Sequence, residues 1–206
     1  MEMILNYLCG KYAPAAVILY GSHADGTVGE DSDFDALVLA DHEMYHDVSV
    51  VDDVQLDVWV YPVDYFADDA ALEEVVTILD GIVLHDPQNM GAALKARVQA
   101  YVAATPGKTA EENAASIAWC RKMLVRTERV DAEGLYRWHW LLVDTLEIAC
   151  DLLHHPYRGP KKALTWLAEA HPAVYGAYTR ALAELNRDAL SAWIECLEGC
   201  CDREFV

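Results

Sequence analysis

Residues 20–38 gather the side chains best suited to chemistry: Tyr-Gly-Ser-His-Ala-Asp-Gly-Thr-Val-Gly-Glu-Asp-Ser-Asp-Phe-Asp-Ala-Leu-Val. Asp33 and Asp35 are two positions apart. Residues i and i+2 of a β-strand face one side, so both carboxylates would project into one cleft. Adjacent carboxylates repel, and a fold keeps them together mainly where a cation sits between them. Hard oxygen ligands select magnesium, typically shared with substrate phosphates. Ten residues separate Gly21-Ser22 from Asp33, and the pair follows an apolar run and precedes a helix turn. A glycine there lets the backbone approach a ligand closely. The N–H groups of a helix start, with the Ser22 hydroxyl, suit a phosphate.

Asp57 is the natural third carboxylate. It interrupts the run Val54-Gln-Leu-Asp-Val-Trp-Val60, where alternation places it on one face with Gln55 and Trp59. A charge inside an apolar strand is costly unless paired or metal-bound. A salt bridge or an exposed strand face is the plain alternative. Three such carboxylates would support in-line nucleotidyl transfer, with metal activation of the attacking hydroxyl and metal binding of the triphosphate.

Several elements must position these groups. Ala15–Tyr20 and Phe34–Ala40 read as short buried strands. Val48–Val60 reads as one long strand or a hairpin turning at Asp52-Asp53, ended by Pro62. Residues 1–12 read as a helix with Met3, Ile4, Tyr7 and Leu8 on one face, and Asp64–Asp80 as a helix capped by Asp64. Gly81–Asp86 reads as a further strand broken by Pro87, and residues 90–104 as a helix. Thr105–Thr109 is the linker. From Ala110 to the end the pattern is helical, with breaks at Asp131–Gly134, His155–Pro160 and His171-Pro172. The expected fold class is α+β: a mixed sheet flanked by helices over 1–104, followed by a C-terminal helical bundle domain over 110–206 that holds the substrate.

Gly-Ser-x10-Asp-x-Asp, set between two strands, resembles the DNA polymerase β-like nucleotidyltransferase superfamily. The layout is closest to the small bacterial aminoglycoside and lincosamide nucleotidyltransferases, which join such a domain to a helical one. The resemblance implies Gly21 and Ser22 on the triphosphate of ATP or another nucleoside triphosphate, and Asp33, Asp35 and Asp57 on Mg²⁺. Many relatives carry Arg two residues after the glycine; here the position is His23. Gly81–Asp86 looks like the strand that closes the domain in relatives. Some relatives also build the substrate cleft across a homodimer.

In the helical half, Asp144, Glu147 and Asp151 share a helix face. In the antibiotic-modifying relatives a helical-domain carboxylate acts as general base, and Glu147 and Asp144 are the residues to consider; a solvated acidic stripe is the alternative. His154–Lys162 concentrates basic residues in an acidic chain, so Lys161 and Lys162 could reach a triphosphate, or the stretch is a surface loop. Trp138, Trp140 and Trp166 read as core. His42-Glu-Met-Tyr-His46 matches H-E-x-x-H, but that motif needs a long helix and a third ligand, so a polar connection is expected instead of a zinc site.

The net charge of −19, from 34 acidic and 15 basic residues, disfavours nucleic acid and attracts cations. Six scattered cysteines, the cluster Cys196, Cys200 and Cys201 among them, read as free thiols. Apolar runs are too short to span a membrane, and Met1-Glu2-Met3 lacks a basic leader, so a cytoplasmic protein is expected. The resulting expectation is transfer of AMP from ATP to a hydroxyl of a small, cationic acceptor, aminoglycoside-like, with pyrophosphate released. The rival readings are an antitoxin-type adenylyltransferase acting on a protein, and a catalytically silent nucleotide-binding regulatory module.

Overall fold

A computed structural model describes residues 1–129 and 131–201. The chain divides into two compact units, Met1–Thr105 and Pro106–Val206. The expectation of helix running to the chain end falls partly on 202–206, outside the described residues.

The first unit is a mixed sheet. Helix α1 (Glu2–Tyr12) precedes strand β1 (Ala16–Leu19), the one-turn helix α2 (Ser22–Asp25) and strand β2 (Phe34–Ala40). Strands β3 (Tyr45–Asp47), β4 (Val50–Val51) and β5 (Val54–Pro62) follow, then β6 (Ile82–His85) and helix α3 (Met90–Ala104). The order across the sheet is β3-β5-β2-β1-β6, with β4 paired to β5. The β2–β5 pair is parallel, and the other pairs are antiparallel.

Alternation divides the sheet residues between two apolar layers. Val17, Leu19, Ala36, Val38, Val58 and Val60 face α1, which buries Ile4, Leu8 and Tyr12. Ile18, Leu37, Leu39 and Tyr61 face the opposite way, under Leu72, Val75, Ile78, Leu94 and Val98. Met3 was expected on the inner face of α1, but it is 56% exposed because Ile4, Leu8 and Tyr12 repeat at the helical spacing of four.

The hairpin turn is Asp52-Asp53, both with positive φ (55° and 60°), the backbone that a two-residue hairpin connection demands. The polar connection expected over Asp41–Asp47 instead contains β3, paired antiparallel to β5. The helix expected over Asp64–Asp80 is a 3-10 turn at Tyr65–Ala67 and a 3-10 segment over Asp69–Asp80, kinked at Val75. Asp68, not Asp64, supplies the cap by accepting from Ala70 N–H.

Asp47 ties α1 to the sheet edge. It is fully buried and accepts from Tyr12 Oη at 2.7 Å, Lys11 Nζ at 2.9 Å, and Ser49 Oγ at 2.6 Å. Burial alone would raise its carboxyl pKa. The hydrogen bonds from Ser49, Lys11 and Tyr12 outweigh burial and hold it well below the usual carboxylate range.

The second unit is all helix: α4 (Ala110–Arg126), α5 (Ala132–Leu152), α6 (Pro160–Ala170), α7 (Pro172–Glu184) and α8 (Arg187–Cys201). Thr109 and Glu112 close a reciprocal capping box on α4. Asp131 caps α5 through Gly134 N–H, so that helix starts one turn before the expected Tyr136. Trp193 fills the centre, donating to Thr145 Oγ1 at 2.9 Å and packing on Tyr178. Trp138 and Trp166 pack against this core, whereas Trp140 is 40% exposed. The six cysteines are free thiols. No described helix is long and apolar enough to cross a membrane.

Asp47→Ala should cost about 3 kcal/mol at neutral pH, because Lys11 loses the carboxylate it is paired with and the other donors lose their acceptor. A depressed folded-state pKa stabilises above the unfolded value and is lost as pH falls through the folded one. Urea unfolding should therefore show the wild-type advantage shrinking below about pH 4.

Candidate functional site

The site grows from strand register. In the parallel β2–β5 ladder, Asp35 stands opposite Asp57, Leu37 opposite Trp59 and Leu39 opposite Tyr61. These positions share the face opposite α1. Tyr20, just past β1, donates its backbone N–H to Asp35 O at 3.0 Å and so joins the row. Asp33 immediately precedes β2 and is exposed.

The Asp35 carboxyl is pushed above its ordinary range first by burial, then by the charges of Asp57 and Asp33. Tyr20 is likewise pushed up by burial and then by Asp57 and Asp35. These groups feel one another electrostatically. Asp57 receives His46 Nε2 at 2.6 Å, and the His46 ring lies flat on Trp59 at 4.3 Å. This is the paired strand charge considered as an alternative for Asp57. Among the described residues, no group of three or more His, Cys, Asp and Glu side chains is already arranged to hold a metal ion.

Gly21 makes the close approach possible. Its φ is +66°, and a Cβ there would overlap the Asp35 carboxylate. Helix α2 starts at Ser22, with Gly21 at its N-cap. Ala24 and His23 turn toward the α1-covered layer, His23 packing on Phe34 at 5.5 Å. His23 Nε2 is buried, with no hydrogen-bond partner among the described residues. His23 acts electrostatically to lower Asp35, which puts it near the carboxylate row.

Sequence reasoning met His46 only within H-E-x-x-H and missed its contact with Asp57 and the aromatic cavity beside it. A cavity of about 300 Å³ lies there, lined by Tyr20, Leu37, Trp59, Tyr61, Glu74 and Thr77, with Val75 and Ile78. The alternation that puts Asp57 and Trp59 on one face was the available signal.

The remaining expected residues belong to the helical unit. Asp144 and Glu147 line a groove of about 470 Å³ with Lys108, Ser116 and Trp119. Burial pushes the Asp144 carboxyl up, opposed by the Trp140 indole N–H. Asp151 pairs with Lys108 at 2.6 Å. Lys161 and Lys162 follow Pro160 in the first turn of α6. The H-E-x-x-H histidines are not on a helix: His42 lies in a bend and His46 on β3.

The raised Asp35 pKa has a testable sign. A carboxyl with a raised folded-state pKa contributes stability below its unfolded value and loses it as pH rises through the folded one. At neutral pH the ionised Asp35 therefore works against the fold. Asp35→Asn should raise the Tm in metal-free buffer, and added Mg²⁺ should stabilise the wild type but not the variant. Gly21→Ala should remove that Mg²⁺ response by displacing Asp35. Thermal unfolding with and without Mg²⁺ reads all three.

Residues 1–80 match the model of the nucleotidyltransferase domain family. No curated protein matches the chain. Among solved structures, a nucleotidyltransferase-like protein from Exiguobacterium sibiricum 255-15 aligns with 98% of this chain and 73% of its own at 11% identity and a TM-score of 0.43. A toxin–antitoxin structure with AMP-PNP aligns with 49% of this chain and 85% of its own at 19% identity and a TM-score of 0.34. The strand, the Gly-Ser turn and the in-register carboxylates all fall within the residues that the nucleotidyltransferase domain model matches.

Proposed function

We propose that the chain transfers AMP from ATP to a hydroxyl of a small, cationic, aminoglycoside-like acceptor, releasing pyrophosphate. The observation that carries this reading is the in-register pair Asp35 and Asp57, with Asp33 close enough to add to the charge on Asp35. Like charges at burial favour a cation among them, and a set of carboxylate oxygens suits Mg²⁺. Asp33, Asp35 and Asp57 would hold it. A divalent ion bound there neutralises phosphate oxygens and makes the attacking hydroxyl more acidic.

The chain's own groups do the rest. Gly21 and Ser22 present backbone N–H groups and a hydroxyl to the triphosphate, and His23, the next residue of α2, is proposed beside them. From their residue type Lys161 and Lys162 are proposed as further phosphate contacts, and from the resemblance Glu147 or Asp144 as the proton acceptor. In the reaction the acceptor oxygen bonds to the α-phosphorus, the bond to the bridging oxygen breaks and pyrophosphate leaves. The hydroxyl proton passes to the carboxylate. The net charge of −19 supports a cationic acceptor.

The test is pyrophosphate release from labelled ATP with Mg²⁺ and a panel of hydroxylated antibiotics. Asp33→Asn and Asp35→Asn should each lower kcat by roughly 10²–10³ or more, as loss of one charge-stabilising contact does elsewhere. Whichever of Glu147→Gln and Asp144→Asn removes the base should lower it by roughly 10²–10⁴. Turnover by Asp35→Asn equal to wild type would refute the metal assignment.

A further inference from the structure

The cavity beside Asp57 has a chemistry of its own. Leu37, Val75 and Ile78 give it an apolar lining, joined by the aromatic side chains of Tyr20, Trp59 and Tyr61. Trp59 is held in place by the His46 ring stacked on it, and Tyr61 by contacts with Tyr65 and Phe66 at 4.9 Å. Glu74 is the lining carboxylate, and it accepts from Tyr65 Oη at 3.1 Å. No lysine or arginine lines the cavity. Aromatic faces with nearby carboxylates and no basic group attract an ammonium and repel a phosphate.

Its position favours one occupant. Helix α2, the proposed triphosphate side, packs toward the α1-covered layer through Ala24 and His23. The cavity lies on the face opposite α1, the face that also carries Asp35 and Asp57, under the 3-10 segment. In-line displacement needs the attacking and leaving oxygens on opposite sides of the phosphorus. An acceptor anchored in the cavity would approach the α-phosphorus of a triphosphate held by these carboxylates from the cavity side of the row. A volume of about 300 Å³ suits one small substituted ammonium group rather than a whole polycyclic ligand.

We propose that Tyr20, Trp59, Tyr61 and Glu74 form an ammonium-binding box that anchors the acceptor beside Asp57. The inference rests on the nucleotidyl-transfer reading for the name of its occupant, but the box can be tested without turnover.

Choline and its neutral isostere 3,3-dimethyl-1-butanol are suitable probes, each with a nine-proton methyl signal for saturation-transfer NMR on the full chain. Choline should bind about tenfold more tightly than the isostere, the preference expected of a partly desolvated cation–π site. Trp59→Leu should remove that preference. Thr77→Trp, at an exposed lining position, should block choline while leaving the fold intact by circular dichroism. Equal binding of the two probes, choline binding unchanged in Thr77→Trp, or displacement of choline by MgATP would each overturn the box. MgATP binding to the wild type is measured separately by calorimetry. Its absence would sink the nucleotidyl-transfer reading, while the choline comparison still decides the box.

Discussion

Backbone pairing forces Asp35 and Asp57 together. They are register partners on adjacent parallel strands, so no rotation of either strand separates them without breaking the ladder. Their repulsion is part of the fold, and after burial it is what raises the Asp35 carboxyl. Gly21 permits the arrangement by leaving the space that Asp35 occupies. His46 offsets part of the charge by donating to Asp57. The stability cost of such a site is borne by the apolar layers on both faces of the sheet, which are almost fully buried.

The same sheet sorts chemistry by face. Toward α1 the alternation is apolar throughout, and the edge is clamped by the Asp47 network. On the other face the row runs from carboxylates at Asp35 and Asp57, through Leu37 and Trp59, to Leu39 and Tyr61. The charged end opens to solvent, while the far end is core under Phe66 and Leu72. The aromatic cavity lies at the transition between the two. Side chains there combine apolar bodies with polar tips, which suits a surface that is only partly covered.

Much of this was legible from residue types. Short apolar runs ending at Gly21 and beginning at Phe34 located β1 and β2, and helix α3 spans the residues 90–104 read from periodicity. Val48–Val60 was legible as one long strand or a hairpin turning at Asp52-Asp53, and the positive φ of both residues makes it the hairpin. Strand β3 escaped notice because three residues, Tyr-His-Asp, carry no apolar alternation; they become a strand only by pairing with β5. The contact of His46 with Asp57 escaped with it, since it spans eleven positions and depends on that pairing. The 3-10 segment was legible as helical, but not its tighter winding, its kink at Val75 or its cap at Asp68. Trp140 was read as core from its type, whereas its neighbours Trp138 and Leu141 take the buried face of α5.

The central claim is that the carboxylate row binds a divalent ion together with a nucleoside triphosphate. Crystals grown with Mn²⁺ and a non-hydrolysable ATP analogue, measured at the manganese edge, test it directly. The account predicts anomalous density ligated by Asp33, Asp35 and Asp57, with the triphosphate reaching from it to Gly21 and Ser22. Manganese bound elsewhere, or a nucleotide whose phosphates avoid Gly21 and Ser22, would contradict it.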